Sequence, residues 1–150
     1  MKKIFGFTAI LTFLLIYGHA TFAQLRKIPS EVTDAFSAKY PNAKAVEWKD
    51  KLTNFTASFD AEGAHYLSSF SNKGEWQSTE QDVEESTLPA VIKDSYSKTK
   101  YADWKISKVT KIELPQGGVQ YRVEIASGDI KKRNLYFNPQ GRLLKDKLTI

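Results

Sequence analysis

The chain has 150 residues, is 41% hydrophobic and 13% aromatic, carries a formal charge of +5 and contains no cysteine. Without thiols it can form no disulfide, no cysteine-ligated zinc site and no lipid-modified cysteine anchor. Burial and hydrogen bonding must therefore hold the fold together, and the aromatic side chains suit that demand because each can bury about 150 to 250 Å².

The N-terminus pairs Lys2 and Lys3 with an apolar run from Ile4 to Tyr17, then small residues in HATFAQ. That is the pattern of a secretory signal, with cleavage expected after Ala23. The run is short against the roughly 20 apolar residues of a spanning helix, so no stable membrane insertion is expected once the signal is gone. Domain-wise, residues 1–23 are a signal peptide and residues 24–150 form the mature, periplasmic chain. Export also weakens any nucleic-acid reading of the pI near 9.3.

In the mature chain IPSEVTDAFS, residues 28–37, places apolar side chains at i, i+4 and i+8 after a proline. This predicts an amphipathic helix over 29–40, broken by Tyr40-Pro41-Asn42. Alternating segments then predict strands over 44–50, 53–60, 64–71 and 75–81. The acidic stretch QDVEES is read as a connector. LPAVIKDSYS, residues 88–97, repeats the first helix pattern, with Pro29 matching Pro89, Val32 matching Ile92 and Phe36 matching Tyr96. It predicts a helix over 88–99, followed by strands over 104–114, 118–126, 131–138 and 142–149.

The strands match as well: NFTASFDAEG answers VQYRVEIASG, and FSNKGEW answers FNPQGRL. Residues 24–87 and 88–150 thus read as two tandem repeats, each a helix plus an antiparallel four-stranded meander, joined in one continuous α+β domain. Val46, Trp48, Phe55 and Phe59, or Tyr121, Val123 and Ile125, are expected to pack under the helices. Glu47, Lys49, Thr56, Ser58, Asp60, Gln120, Arg122 and Glu124 are expected on the opposite face. Trp48, Trp76 and Trp104 are assigned to the core.

Charge divides unevenly: residues 24–87 hold 7 Lys or Arg against 11 Asp or Glu, while residues 88–150 hold 13 against 6. Lys131, Lys132, Arg133, Arg142, Lys145 and Lys147 fall on the last two strands and predict a basic hairpin.

The tandem [IL]-P-x-x-[VI] helix starts, the Tyr40-Pro41-Asn42-Ala43 break and the closing F-x-x-x-G hairpins resemble the PepSY-like family of small exported proteins common in Bacteroidetes. The resemblance implies a fold similar to the beta-lactamase inhibitory protein, no enzymatic role, and binding or inhibition of another protein. That inhibitory protein uses disulfides in its helical segments, and this chain has none.

Residue chemistry points the same way. His65 is the only histidine after the signal, no G-x-S-x-G motif accompanies it, and one histidine without cysteine makes no zinc site. Glu80, Asp82, Glu84 and Glu85 lack the turn glycine of a calcium loop. No catalytic residue, metal site or cofactor is expected. The expected function is non-enzymatic recognition of a periplasmic or envelope protein through the exposed sheet face, with Tyr66, Arg122, Tyr136 and Lys132 as candidate contacts. The alternatives are a small-molecule or ion carrier holding its ligand between two sheets, or a self-associating structural envelope protein. The sequence leaves the oligomeric state open.

Overall fold

Two prolines set where the helices begin. The computed structural model describes residues 27–149, and in it Pro29 and Pro89 immediately precede α1 (Ser30–Lys39) and α2 (Ala90–Ser97). The predicted export segment, residues 1–23, lies outside the described residues. Both helices are shorter than the sequence pattern suggests. Pro41 disfavours helical backbone at Tyr40, so α1 stops there with φ −129°. Past Ser97 the chain breaks into turns that fold Tyr101 into the core.

The eight strands are β1 (Lys44–Asp50), β2 (Asn54–Ala61), β3 (Ala64–Ser71), β4 (Trp76–Val83), β5 (Lys105–Leu114), β6 (Gly118–Ser127), β7 (Lys131–Phe137) and β8 (Leu143–Thr149). They form one antiparallel sheet in sequential order from β1 to β8. QDVEES is only partly a connector: β4 runs on through Val83, and Glu85–Thr87 make a short 3-10 turn before α2. Because β4 pairs with β5 from Thr79↔Glu113 to Val83↔Val109, both halves share a single sheet. There is no space between two sheets in which a carrier could hold a ligand.

Both helices lie on one face of the sheet, over separate apolar cores. Val32 and Phe36 of α1 pack on Phe55, Ala57, Phe59 and Phe70. Phe36 is the hub, with its ring 5.1 Å from Phe59 and 5.2 Å from Trp48, both edge-on. Ile92 and Tyr96 of α2 pack with Leu88, Tyr101, Val109, Val123, Ile125, Leu135 and Phe137. Trp48, Trp76 and Trp104 are half-buried against these clusters, at the rim and not at the centre. Val46 departs from its expected packing role and is 37% exposed. A bulge between Lys44 and Glu47, with Ala45 at φ 51°, interrupts the alternation that would have turned it inward.

Polar groups beneath the helices are satisfied locally. The Tyr40 hydroxyl is hydrogen-bonded to Ser68 and Thr79, and Trp76 Nε1 donates to Thr79 Oγ1 at 2.9 Å. In the second core Tyr96 donates its hydroxyl to the carbonyls of Tyr101 and Trp104 at 2.8 and 2.6 Å. A tyrosine thus bonds down each helix, closing donors that burial would otherwise strand.

The hairpins FSNKGEW and FNPQGRL adopt the same turn. Gly74 N donates to Ser71 O and Gly141 N to Asn138 O, both at 3.0 Å, with φ of 82° and 83°. Each glycine is pressed against the first turn of a helix. A Cβ on Gly74 would run into the Glu31 carbonyl, and one on Gly141 would lie 2.8 Å from the Val91 carbonyl and 2.7 Å from Ser95 Oγ. The glycines therefore answer to close approach as well as to positive φ. Gly63 has φ 79° but open space around its Cβ position, which separates the two effects. Gly63→Ala should cost about 1 kcal/mol, from backbone strain alone. Gly74→Ala and Gly141→Ala should each cost at least about 2 kcal/mol more. Urea denaturation of the three variants measures the difference, and equal losses would rule out the helix contact as the cause.

Candidate binding face

Register fixes what the face away from the helices displays. The pairs Glu47↔Ser58, Ser58↔Leu67, Leu67↔Glu80, Glu80↔Ile112, Ile112↔Gln120, Arg122↔Tyr136 and Tyr136↔Lys145 step across it from β1 to β8. Directly opposed residues share a face of the sheet. Neither described helix lies on this outer face.

Its centre is a charge network across β4, β5 and β6. Arg122 Nη2 donates to Glu80 Oε2 at 2.8 Å and to Thr110 Oγ1 at 3.3 Å, while Thr110 donates to Asp82 Oδ1 at 2.9 Å. Lys108 Nζ lies 2.8 Å from Asp82 Oδ2. Thr110 is 2% exposed, and the side chains of Arg122 and Glu80 are each 24% exposed. Burial works against the Arg122 charge, but the hydrogen bonds and charges of Glu80 and Tyr136 outweigh it and hold the guanidinium above its ordinary pKa. Burial likewise works against the Asp82 carboxylate. Lys108 and Thr110 outweigh that and hold it below the usual carboxylate range. A shallow depression of about 190 Å³ lies over the network, bordered by His65, Tyr66, Leu67, Glu80, Asp82, Lys108 and Arg122.

On the β2–β3 side His65 lies along its neighbour strand. Its Nδ1 is 2.7 Å from Asp60 Oδ1 and its Nε2 is 2.9 Å from Ser58 Oγ. These distances suit a nucleophile, base and orienting acid. The setting does not: His65 and Asp60 are 65% and 58% exposed. Both strands are interior to the sheet and paired with each other from Asn54↔Ser71 to Ala61↔Ala64, so the three groups lie on an open sheet surface and not in a cleft. Among the described residues no group of three or more His, Cys, Asp or Glu could hold a metal ion.

Of the contacts expected from sequence, the structure gathers three. Arg122 and Tyr136 are directly opposed on β6 and β7, and Lys132 lies further along the same face of β7. Tyr66 stands apart on the helix side. It is opposite Phe59, with rings 5.6 Å apart and stacked, and it lines a 360 Å³ cleft with Tyr40, Thr79, Gln81 and Lys111. The sequence reading missed Glu80, Asp82, Lys108 and Thr110. Alternation along β4 sets Ser78, Glu80 and Asp82 on one face, but ending that strand at residue 81 left Asp82 in a supposed connector. The basic hairpin also divides. Lys132, Lys145 and Lys147 point outward, while Arg133 reaches Asp146 at 2.5 Å on the helix side.

No helix among the described residues is long and apolar enough to cross a membrane. No curated protein matches the chain in sequence. Solved structures do share its fold. A DUF2874 family protein from Bacteroides ovatus is 27% identical, with 81% of this chain and 88% of that one covered and a TM-score of 0.74. A BLIP-like protein from Bacteroides fragilis is 27% identical, with coverages of 82% and 87% and a TM-score of 0.71. A protein from Bacteroides eggerthii described as "putative periplasmic" is 20% identical, with coverages of 81% and 89% and a TM-score of 0.74. The family model "Putative beta-lactamase-inhibitor-like, PepSY-like" matches residues 53–145. This chain belongs to that PepSY-like, beta-lactamase-inhibitor-like family.

Proposed function

We propose that the protein is a non-enzymatic, inhibitor-like binding protein of the periplasm that recognises another protein through the outer face of its sheet. The observation carrying this reading is a face free of both described helices whose central side chains are already bonded to one another: Arg122, Glu80, Thr110, Asp82 and Lys108 are held by mutual contacts before any partner arrives. Groups fixed in advance lose little entropy on binding, so a partner recovers more of its contact energy. Tyr136 beside Arg122 adds the aromatic and arginine chemistry that dominates protein interfaces. The family and the BLIP-like relative support binding of the inhibitor kind.

In this reading the chain is exported and its signal is cleaved after Ala23. Residues 24–87 and 88–150 descend from one duplicated unit, an ancestry supported by the matching glycine turns under α1 and α2. Ser58, His65 and Asp60 bind or brace and do not turn over substrate. A serine-directed fluorophosphonate should therefore leave Ser58 unmodified after prolonged exposure, as judged by intact mass. Stoichiometric labelling lost in His65→Ala would refute the non-enzymatic assignment.

Binding is tested with residues outside the Glu80–Arg122 and Asp82–Lys108 ion pairs. Arg122→Ala is a poor probe because it would strand the half-buried Glu80 carboxylate. Tyr136→Ala combined with Lys132→Glu should weaken capture of a partner from an envelope fraction by at least tenfold, corresponding to about 1.4 kcal/mol. Tyr66→Ala, on the other side of the sheet, should leave it unchanged. The opposite pattern would move the site to the helix-side cleft.

The network also sets the acid limit of the face. The Asp82 pKa is lowered on folding, so its stabilising contribution is complete well above the unfolded value of about 3.9 and is lost as pH falls through the lower folded value. Urea midpoints between about pH 6 and pH 2 should therefore fall less steeply for Asp82→Asn than for the parent chain at the acid end. Parallel curves would contradict the assignment.

A further inference from the structure

The sheet has two free edges, and they are built differently. β1 is interrupted by the bulge between Lys44 and Glu47 and by the positive φ of Ala45, which breaks the repeat that an added strand would need. β8 has its irregularity at its start, between Tyr136 and Phe137 on the paired side. From Lys145 to Thr149 it then pairs residue by residue with β7. Among the described residues no strand lies along its other side, so this stretch offers backbone donors and acceptors of an edge strand.

Side chains along that edge are sorted by face. Lys145 and Lys147 point outward beside Tyr136 and Asn134, and Lys147 Nζ lies 6.0 Å from the centre of the Tyr136 ring. With Lys132 they make three lysines, none of which has an acidic partner among the described residues. Asp146, the acid between the two β8 lysines, points to the helix side. It is held there by Arg133 at 2.5 Å and by the Tyr101 hydroxyl at 2.8 Å. On that side Leu143 and Leu148 are 41% and 62% exposed. Asn134 Oδ1 and Thr149 Oγ1, on the outward face of the same hairpin, are buried without a hydrogen-bond partner.

We propose that β8 is a docking edge for an extended acidic segment of a partner protein, which adds as a ninth strand. This inference rests on the binding-protein reading and names the chemistry of the partner. Two carboxylates two residues apart, about 6.8 Å along a strand, would stand over Lys145 and Lys147. Side chains at the alternate positions would lie on the helix side, one opposite Asp146 and an apolar one over Leu148. A second copy of this chain is the wrong occupant at this edge: antiparallel pairing of β8 with itself about Asp146 would set Lys145 against Lys147. Like charges directly opposed destabilise such a pair. Lysine here repels its own kind and admits an acidic strand.

The probe is a labelled peptide of alternating Glu and Val, with a Lys-Val peptide as control, titrated against the mature chain by fluorescence anisotropy at low and high salt. Amide hydrogen exchange is measured over residues 143–149 in parallel. The expected result is binding of the Glu-Val peptide alone, weakened by salt, together with slowed exchange along β8. Lys145→Glu with Lys147→Glu should lower the affinity roughly tenfold or more. Lys145→Ser with Lys147→Ser should give a smaller loss, and circular dichroism of both variants verifies that the fold persists. Equal binding of both peptides, no binding of the Glu-Val peptide, or binding without slowed exchange in β8 would each overturn the proposal. So would a dimer of the free chain, seen by light scattering, that protects the same amides. A partner whose capture depends on Tyr136 and Lys132 but ignores the β8 reversals would sink this inference while leaving the outer-face reading intact.

Discussion

Everything in this molecule hangs on the ladder between β4 and β5. The two apolar cores do not merge, no disulfide is available, and the paired residues from Thr79↔Glu113 to Val83↔Val109 are what make one sheet of two meanders. The side chains along this seam are mostly polar, with Val83↔Val109 the apolar pair that joins it to the second core. The outer face closes it: Asp82 with Lys108, and Glu80 with Arg122 of the next strand over, are ionic ties laid across the junction. Glu80 and Arg122, each 24% exposed, are screened from salt more than the exposed Asp82–Lys108 pair, which contributes little by itself. The proposed binding face and the seam are thus made of the same residues. A substitution made to probe recognition there also probes the union of the two halves.

The asymmetry of charge acquires a spatial meaning once the register is known. Glu80 and Asp82 of β4 are paired with Arg122 of β6 and Lys108 of β5, whereas Lys132, Lys145 and Lys147 of β7 and β8 have no acidic partner among the described residues. The electrostatic gradient runs across the strands, not between separate domains. A partner approaching the face meets a neutralised centre and a positive margin, an arrangement that guides approach from one side.

Much of this was legible in the sequence, because local rules set it. Proline followed by i, i+4, i+8 apolar spacing located both helices, and period-two alternation separated Arg122, Tyr136 and Lys132 from their buried neighbours. What escaped was phase between elements. Tyr66 was expected with Arg122, yet Glu62 and Gly63 form a two-residue turn with φ of 51° and 79°, which sets Ala61 against Ala64 and hence Phe59 against Tyr66. That turn type was readable from its glycine, and following it through would have placed Tyr66 on the helix side. The bulge that exposes Val46 carries no comparable mark, since Ala45 at positive φ is a choice no propensity anticipates. Pairing of β4 with β5 spans the whole α2 segment and rests on tertiary packing, beyond the reach of local pattern.

The hairpin tips fall into two kinds. Gly74 and Gly141 sit beneath helices with no room to spare, while Gly63, Gly117 and Gly128 have nothing near the position of a side chain. The first kind locks each helix to its meander. The second kind is a set of sockets: an inserted epitope, a fluorophore or a whole guest domain could be carried there without disturbing either core, turning a rigid binding sheet into a scaffold for reporting what it binds.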